Sequence, residues 1–243
     1  MESTDQIAES RILPNRTLVI MAKAPRPGRV KTRLTESLPS SAVLALYQCL
    51  LEDTLELAKS LKGVEVVVVC PEPDQKELAQ LAGNGVPVVA QKGEGLAAGL
   101  NFVFRHFTAA GRQRVIAFNS DSPHLAPAIL ENAFEILATH DVVVGPTDDG
   151  GYYLVGAKAA YPTLFESDGL GTKTALDRLL ARTKELGLST GFTEPFYDID
   201  VANDLVQLAR ELQIAPAKAP RTARWLTEWQ PAVGQLGHRA GGQ

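Results

Sequence analysis

Five cations, Lys23, Arg26, Arg29, Lys31 and Arg33, lie within eleven residues that contain no acid, in a protein whose net charge is −4. Positive charge this local suits a small polyanion, most simply the phosphates of a nucleotide. Pro25 and Pro27 hold the backbone extended, and Gly28 permits close approach of a ligand. The lysines supply point charges and the arginines forked donors, both suited to phosphate. The glycine spacing of a P-loop is absent. A solvated basic turn would have the same composition.

Three acidic motifs complement it. Asn119-Ser120-Asp121-Ser122-Pro123-His124 follows the apolar run 115–118. An acid at the carboxyl end of a buried strand can hold a divalent cation against a diphosphate, since Mg²⁺ needs only one or two protein carboxylates. Asp121 could equally cap a helix beginning near Pro123. His124 has no second histidine at ligand spacing, so it belongs to the packing or to a substrate rim. In Gly145-Pro146-Thr147-Asp148-Asp149-Gly150-Gly151-Tyr152-Tyr153, a double glycine flanked by acids and aromatics could line a ligand. An ordinary hairpin turn uses the same Asp-Gly pair. In Asp198-Ile199-Asp200 two carboxylates share one face of an extended segment and repel unless a cation lies between them. Alternatively Asp200 caps a helix starting near Val201.

These motifs sit at the ends of apolar runs, which implies the scaffold. Runs 17–22, 64–70, 86–91, 114–119 and 141–145 read as buried strands, separated by amphipathic stretches near 40–61, 73–82, 96–110 and 126–139. In the first stretch Glu52, Asp53, Glu56 and Lys59 take the face opposite the apolar stripe. This alternation predicts an α/β fold, a mainly parallel mixed sheet flanked by helices in three α/β/α layers, with the ligand site at the carboxyl ends of the strands. The strand 150–156 follows too short a connection for a crossover helix, so it is expected to run antiparallel. A helix near 172–186, a final extended segment 193–200 and a helix over 201–213 follow. The remainder is expected to hold one short helix, with Trp225 and Trp229 as a packing stripe, and to fray beyond Gly234. Residues 1–15 read as a flexible extension, 16–213 as the domain, and 214–243 as a partly disordered helical tail.

Composition narrows the partners. An apolar share of 45% suits a substantial core. The acidic balance excludes a general nucleic-acid binder, and aromatic residues are not interleaved with the basic loop as single-strand binding would need. Cys49 and Cys70 give no disulfide framework or zinc spacing. No run approaches a membrane span, and residues 1–15 lack the apolar core of a secretory signal, so the protein reads as cytoplasmic.

In this order, M-A-K-A-P-R-P-G-R-V-K-T-R-L, N-S-D-S-P, G-P-T-D-D-G-G-Y-Y-L-V-G and D-I-D-V-A-N-D-L resemble the nucleotide-diphospho-sugar transferase superfamily with its GT-A, Rossmann-like fold. The branch most similar is that labelled DUF2064, or arsenosugar-biosynthesis-type glycosyltransferase. The 2-phospholactate and phosphoenolpyruvate guanylyltransferases share the K-T-R-L loop. The resemblance covers residues 16 to about 213. It implies that Lys23, Pro25, Gly28, Lys31, Arg33 and Ser120 bind the nucleotide, and that Asp121, Asp198 and Asp200 hold Mg²⁺ or Mn²⁺. Asp149, Gly150, Gly151 and Tyr152 would line the substrate side, with Lys31, Asp121 and Asp149 as the catalytic set. Two departures stand out: Gly95 and Gly99 replace an Asp and an Arg of the superfamily's Q-x-G-x-D-L-G-x-R motif.

The expectation is therefore a metal-dependent transferase that uses an activated nucleotide donor and a small-molecule acceptor, and that allows a homodimer. Transfer from a nucleotide sugar is the leading expectation. The alternatives are nucleotidyl transfer to a small phosphorylated acid and a non-catalytic nucleotide-binding protein. No covalent nucleophile announces itself; positioning and charge neutralisation would carry the chemistry.

Overall fold

The computed structural model describes residues 15–166 and 170–240. The extension expected over residues 1–15 lies, apart from its last residue, outside the described residues. β-Branched runs build the centre of a seven-stranded sheet: β1 (Arg16–Met21), β2 (Val64–Cys70), β3 (Val88–Ala90), β4 (Arg114–Asn119), β5 (Val142–Pro146), β6 (Tyr152–Ala157) and β7 (Thr190–Phe192). Their spatial order is β3-β2-β1-β4-β6-β5-β7. The β3–β2, β2–β1, β1–β4 and β5–β7 pairs are parallel, while β6 runs antiparallel to both its neighbours, as the short connection before it requires. Strand order reverses between β1 and β4. In open α/β sheets the ligand crevice lies at the carboxyl ends of the strands where the order reverses. The basic loop leaves β1 there, and Asn119-Ser120-Asp121 leaves β4.

Helices α1 (Ser40–Lys59), α2 (Gln75–Ala82) and α4 (Pro127–Thr139) cover one face of the sheet, and α3 (Gly95–Ala109) and α5 (Ala175–Glu185) the other. This is the three-layer arrangement expected. A further layer lies outside α1: Leu46 and Leu50 of α1 share a buried cluster with Leu205 and Leu208 of α6 (Ala202–Ile214), Trp225 of α7 (Pro220–Glu228) and Val233 of α8 (Gln230–Ala240).

That layer corrects three expectations. Asp53, assigned to the solvent face of its helix, is only 2% exposed because α7 lies over it. Its carboxylate accepts from the Thr222 amide and hydroxyl, each at 2.8 Å, so a buried anion caps the first turn of α7. The carboxyl-terminal region contains two helices rather than one, and α8 continues past Gly234 to Ala240. Trp225 and Trp229 do form the expected stripe, their rings stacked 5.6 Å apart.

The last strand of the sheet lies just ahead of the extended segment expected over 193–200. The extended segment 193–200 is not a strand; β7 precedes it and pairs with β5. Pro195 has no amide hydrogen to donate, so the ladder breaks down to two isolated bonds, from Thr193 N to Val144 O and from Phe196 N to Pro146 O. Released from the sheet edge, residues 196–200 swing back across the end of β4.

Candidate active site at the switch point

The segment that leaves the sheet brings its two aspartates to β4. Ser122 Oγ donates to Tyr197 O at 3.1 Å, and Ile199 N donates to Asp121 O at 3.3 Å. Ile199 is fully buried, so Asp198 and Asp200, one residue to either side, turn the other way. They meet the basic loop. Lys31 Nζ lies 2.7 Å from Asp121 Oδ2 and 3.9 Å from Asp200 Oδ1, and Arg33 donates to Asp200 Oδ2 at 2.7 Å. Cations from the end of β1 therefore face all three acids across the switch point.

Charge and burial set the protonation of this cluster. Burial pulls the Lys31 ammonium down, but Asp121, Asp198 and Asp200 outweigh it and hold its pKa above the ordinary lysine value. Burial, and then the like charges of Asp121 and Asp200, push the Asp198 carboxyl up to about 6 despite the attraction of Lys31. Neither capping alternative survives. The helix after Asp121 begins only at Pro127, and the amides of Asp200 and Val201 donate to the Asp204 carboxylate.

The sequence offered no signal for the residue that links the two loops. Tyr47, part of the apolar stripe of α1, donates its hydroxyl to Lys23 O at 3.0 Å and accepts from Lys23 N at 3.2 Å. The same oxygen lies 3.3 Å from Ser120 Oγ, which in turn donates to Asp121 Oδ1 at 3.1 Å. Thr54, two turns along α1, donates to Ser120 O at 3.2 Å. One helix face thus anchors both the phosphate-type loop and the acidic loop. Asp74, in the turn just before α2, secures the first of them, accepting from Ala24 N at 3.0 Å and pairing with Arg26 at 2.9 Å. Arg26 is thereby turned away from the crevice, while Lys23, Gly28 and Arg29 stay exposed on the loop and Pro25 is half-buried.

The Asp149 motif behaves as a turn. The Asp149 carboxylate accepts from the Thr147 hydroxyl and, at 3.1 Å, from Gly151 N, closing the β5–β6 hairpin. Gly150 has φ +86°, and a Cβ there would run into the carbonyl of Lys173. Both features are what a hairpin needs. The expectation that Tyr152 faces a substrate is not matched: its hydroxyl is buried and unpartnered among the described residues, in the layer of α3 and α5. Successive strand residues face opposite ways, so it is Tyr153 that points toward the α1 side. Its hydroxyl lies 2.7 Å from Thr193 Oγ1 and steadies the segment leading to Asp198.

His124 is structural, as its lone position implied. It is 1% exposed, packed against the rings of Phe196 and Tyr197, and burial pushes its pKa down to about 4. The departure at Gly99 also has a physical account. A Cβ there would come within 2.6 Å of Gln91 Oε1 and 2.9 Å of Met21 Cε, so any side chain at this position would require the ends of Gln91 and Met21 to move aside.

The expected three-carboxylate metal set is not present as a ready cage. Among the described residues no three carboxylate, histidine or cysteine groups close on one ion position; the Lys31 ammonium stands between the aspartates. The oxygens themselves are the hard donors that Mg²⁺ or Mn²⁺ takes, in the number that suffices when phosphates complete the shell.

Residues 54–172 match the family described as "Uncharacterized protein conserved in bacteria (DUF2064)". A phosphoenolpyruvate guanylyltransferase from Streptomyces scabiei is 31% identical over 183 residues, 72% of each chain. The chain belongs to the DUF2064 family and is related to that guanylyltransferase. This makes the protein a transferase. Solved structures agree on the fold. A protein from Desulfovibrio desulfuricans, provisionally named a nucleotide-diphospho-sugar transferase, superposes with a TM-score of 0.85 at 24% identity, over 91% of this chain and 98% of its own. A nucleotidyl transferase from Methanothermobacter superposes with a TM-score of 0.56 at 21% identity, over 83% and 99%. Among the described residues no helix of this DUF2064 member is long and apolar enough to cross a membrane.

Proposed function

We propose that this DUF2064 protein transfers a nucleotidyl group from a nucleoside triphosphate to a small anionic acceptor. The observation that carries the reading is the convergence of Lys31 and Arg33 with Asp121, Asp198 and Asp200 at the switch point. Support for a triphosphate rather than a nucleotide sugar comes from the density of cations, with Lys23 and Arg29 exposed beside that pair, and from the guanylyltransferase relative.

In this reading Lys23, Arg29, Lys31 and Arg33 bind the phosphates, and the backbone at Gly28, with φ +70°, lets the donor approach closely. Asp121 and Asp198 would hold a Mg²⁺ or Mn²⁺ ion, whose chemistry is to neutralise charge on the phosphate oxygens. An acceptor oxygen attacks the α-phosphorus, the bond to the bridging oxygen of the β-phosphate breaks, and pyrophosphate leaves with its charge compensated by the basic loop. Tyr47 and Ser120 keep the two loops at the separation this requires. The turn at Asp149, Gly150 and Gly151 borders the acceptor side, with Asp149 shaping the backbone rather than exchanging protons.

The test incubates the full chain with GTP and phosphoenolpyruvate, and separately with nucleotide sugars, each with Mg²⁺ and with EDTA. Metal-dependent pyrophosphate release is the expected result. Nucleoside diphosphate released from a sugar donor would instead establish glycosyl transfer, the reading that the superfamily's sugar-nucleotide members favour. Nucleotide binding without either product would leave a binding protein.

A further inference from the structure

Lys31 is held in an unusual way. Its backbone is left-handed, with φ 48° and ψ 41°, a conformation that costs a non-glycine residue roughly 1 kcal/mol. The bend turns its side chain inward: it is 6% exposed, against 66% for Arg33 two residues later. Both oxygens of Asp121 are thereby engaged, Oδ1 by the Ser120 hydroxyl and Oδ2 by the Lys31 ammonium. Asp198 and Asp200 flank the same ammonium. Without it, three carboxylates would face one another in a partly buried crevice, an arrangement that like-charge repulsion and desolvation both oppose.

We infer that Lys31 is the resident counter-cation of this carboxylate cluster, and that the ammonium and a divalent ion exclude one another there. The ion then enters only together with a phosphate chain, which gives the ammonium another anion to move to. The inference rests on the proposed nucleotide site and deepens it: donor and metal bind as one unit, and the carboxylates do not collect metal beforehand. The loop has the means to make the exchange, because Lys31 follows the exposed turn at Pro27–Arg29 and directly precedes the short 3-10 segment Thr32–Glu36. The expected range of motion is a rotation of one long side chain from the aspartates toward solvent, on the loop that also carries the exposed Lys23 and Arg29.

The test is Mn²⁺ binding by the full chain in phosphate-free buffer, read by the electron paramagnetic resonance signal of free Mn²⁺. Lys31→Met is expected to bind Mn²⁺ at least about tenfold more tightly than the unmodified protein, since one neighbouring unit charge is removed. Lys31→Arg, which keeps the charge, is expected to bind as weakly as the unmodified protein. Equal affinity in Lys31→Met and the unmodified protein overturns the inference. So does a Kd at or below about 10 µM for the unmodified protein without phosphate, a result that needs no variant to fold. If Lys31→Met does not fold, Lys31→Gln removes the charge while keeping a donor for Asp121. Thermal shift with GTP and Mg²⁺ reads the nucleotide site separately: no shift there removes the proposed function, while the Mn²⁺ contrast between variants still decides the role of Lys31.

Discussion

Lys31 Nζ stands 2.7 Å from Asp121 Oδ2, joining the loop after β1 to the loop after β4 across the point where strand order reverses. The two residues are ninety positions apart in the chain, and each brings a neighbour with it, Arg33 and Ser120 respectively. Their contact makes the basic loop and the acidic strand ends a single site.

Asp121→Asn is expected to lower metal-dependent pyrophosphate release by at least about a hundredfold, the usual scale for removing one charge-stabilising group from a preorganised site. The residue lies at a strand end, so the fold should remain; circular dichroism and the thermal midpoint check that. Activity within a few-fold of the unmodified protein would refute the assignment.

Asp198 predicts a pH signature. Its carboxyl titrates near 6 in the folded protein, above the ordinary 3.8, because burial and two neighbouring acids penalise the charge. A group raised in this way favours the folded state when protonated. Its contribution is complete below about 3.8 and is lost as pH rises through about 6. Asp198→Asn should therefore be more stable than the unmodified protein above pH 6 and converge with it toward pH 4. Thermal midpoints across that range measure the difference. Proton competition at the same carboxyl should weaken metal–nucleotide binding as pH falls below about 6.

Tyr47→Phe keeps the ring and removes the hydroxyl that spans Lys23 and Ser120. Loss of these partly buried hydrogen bonds should cost about 1–2 kcal/mol of stability. Because both loops lose the same anchor, affinity for the metal–nucleotide complex should fall as well. Calorimetry on the folded variant separates the two effects, and unchanged affinity would leave Tyr47 a packing residue only.

Gly150→Ala forces a side chain into a left-handed turn and against the Lys173 carbonyl. The expected loss is about 2 kcal/mol or more, measured by the denaturant midpoint. Gly28→Ala, where φ is +70° but the space is open, should cost less.

Local chemistry made much of this protein readable. Strands 64–70 and 114–119 and the long helix from residue 40 follow from apolar runs and periodicity, because burial on a sheet or against a helix face repeats at short range. The antiparallel β6 follows from a connection too short for a crossover. The basic loop and the three acidic motifs stood out because clustered like charges are costly without an opposite partner.

What the chain could not display in one dimension is which groups would become partners. Asp53 shares its solvent-type spacing with Glu52 and Glu56, and only the docking of α7 onto α1 buries it. Tyr47 is indistinguishable from its apolar neighbours until Lys23 and Ser120 come within reach of its hydroxyl. Asp149 and Tyr152 look as well placed for chemistry as Asp121, yet a hairpin consumes one and strand alternation turns the other to the far layer. Residue types and spacing determined the elements and the candidate charges, since both depend on neighbours along the chain. Tertiary packing decided which charges meet, because a contact across ninety residues depends on strand order, and strand order is settled only when the whole sheet closes over its core.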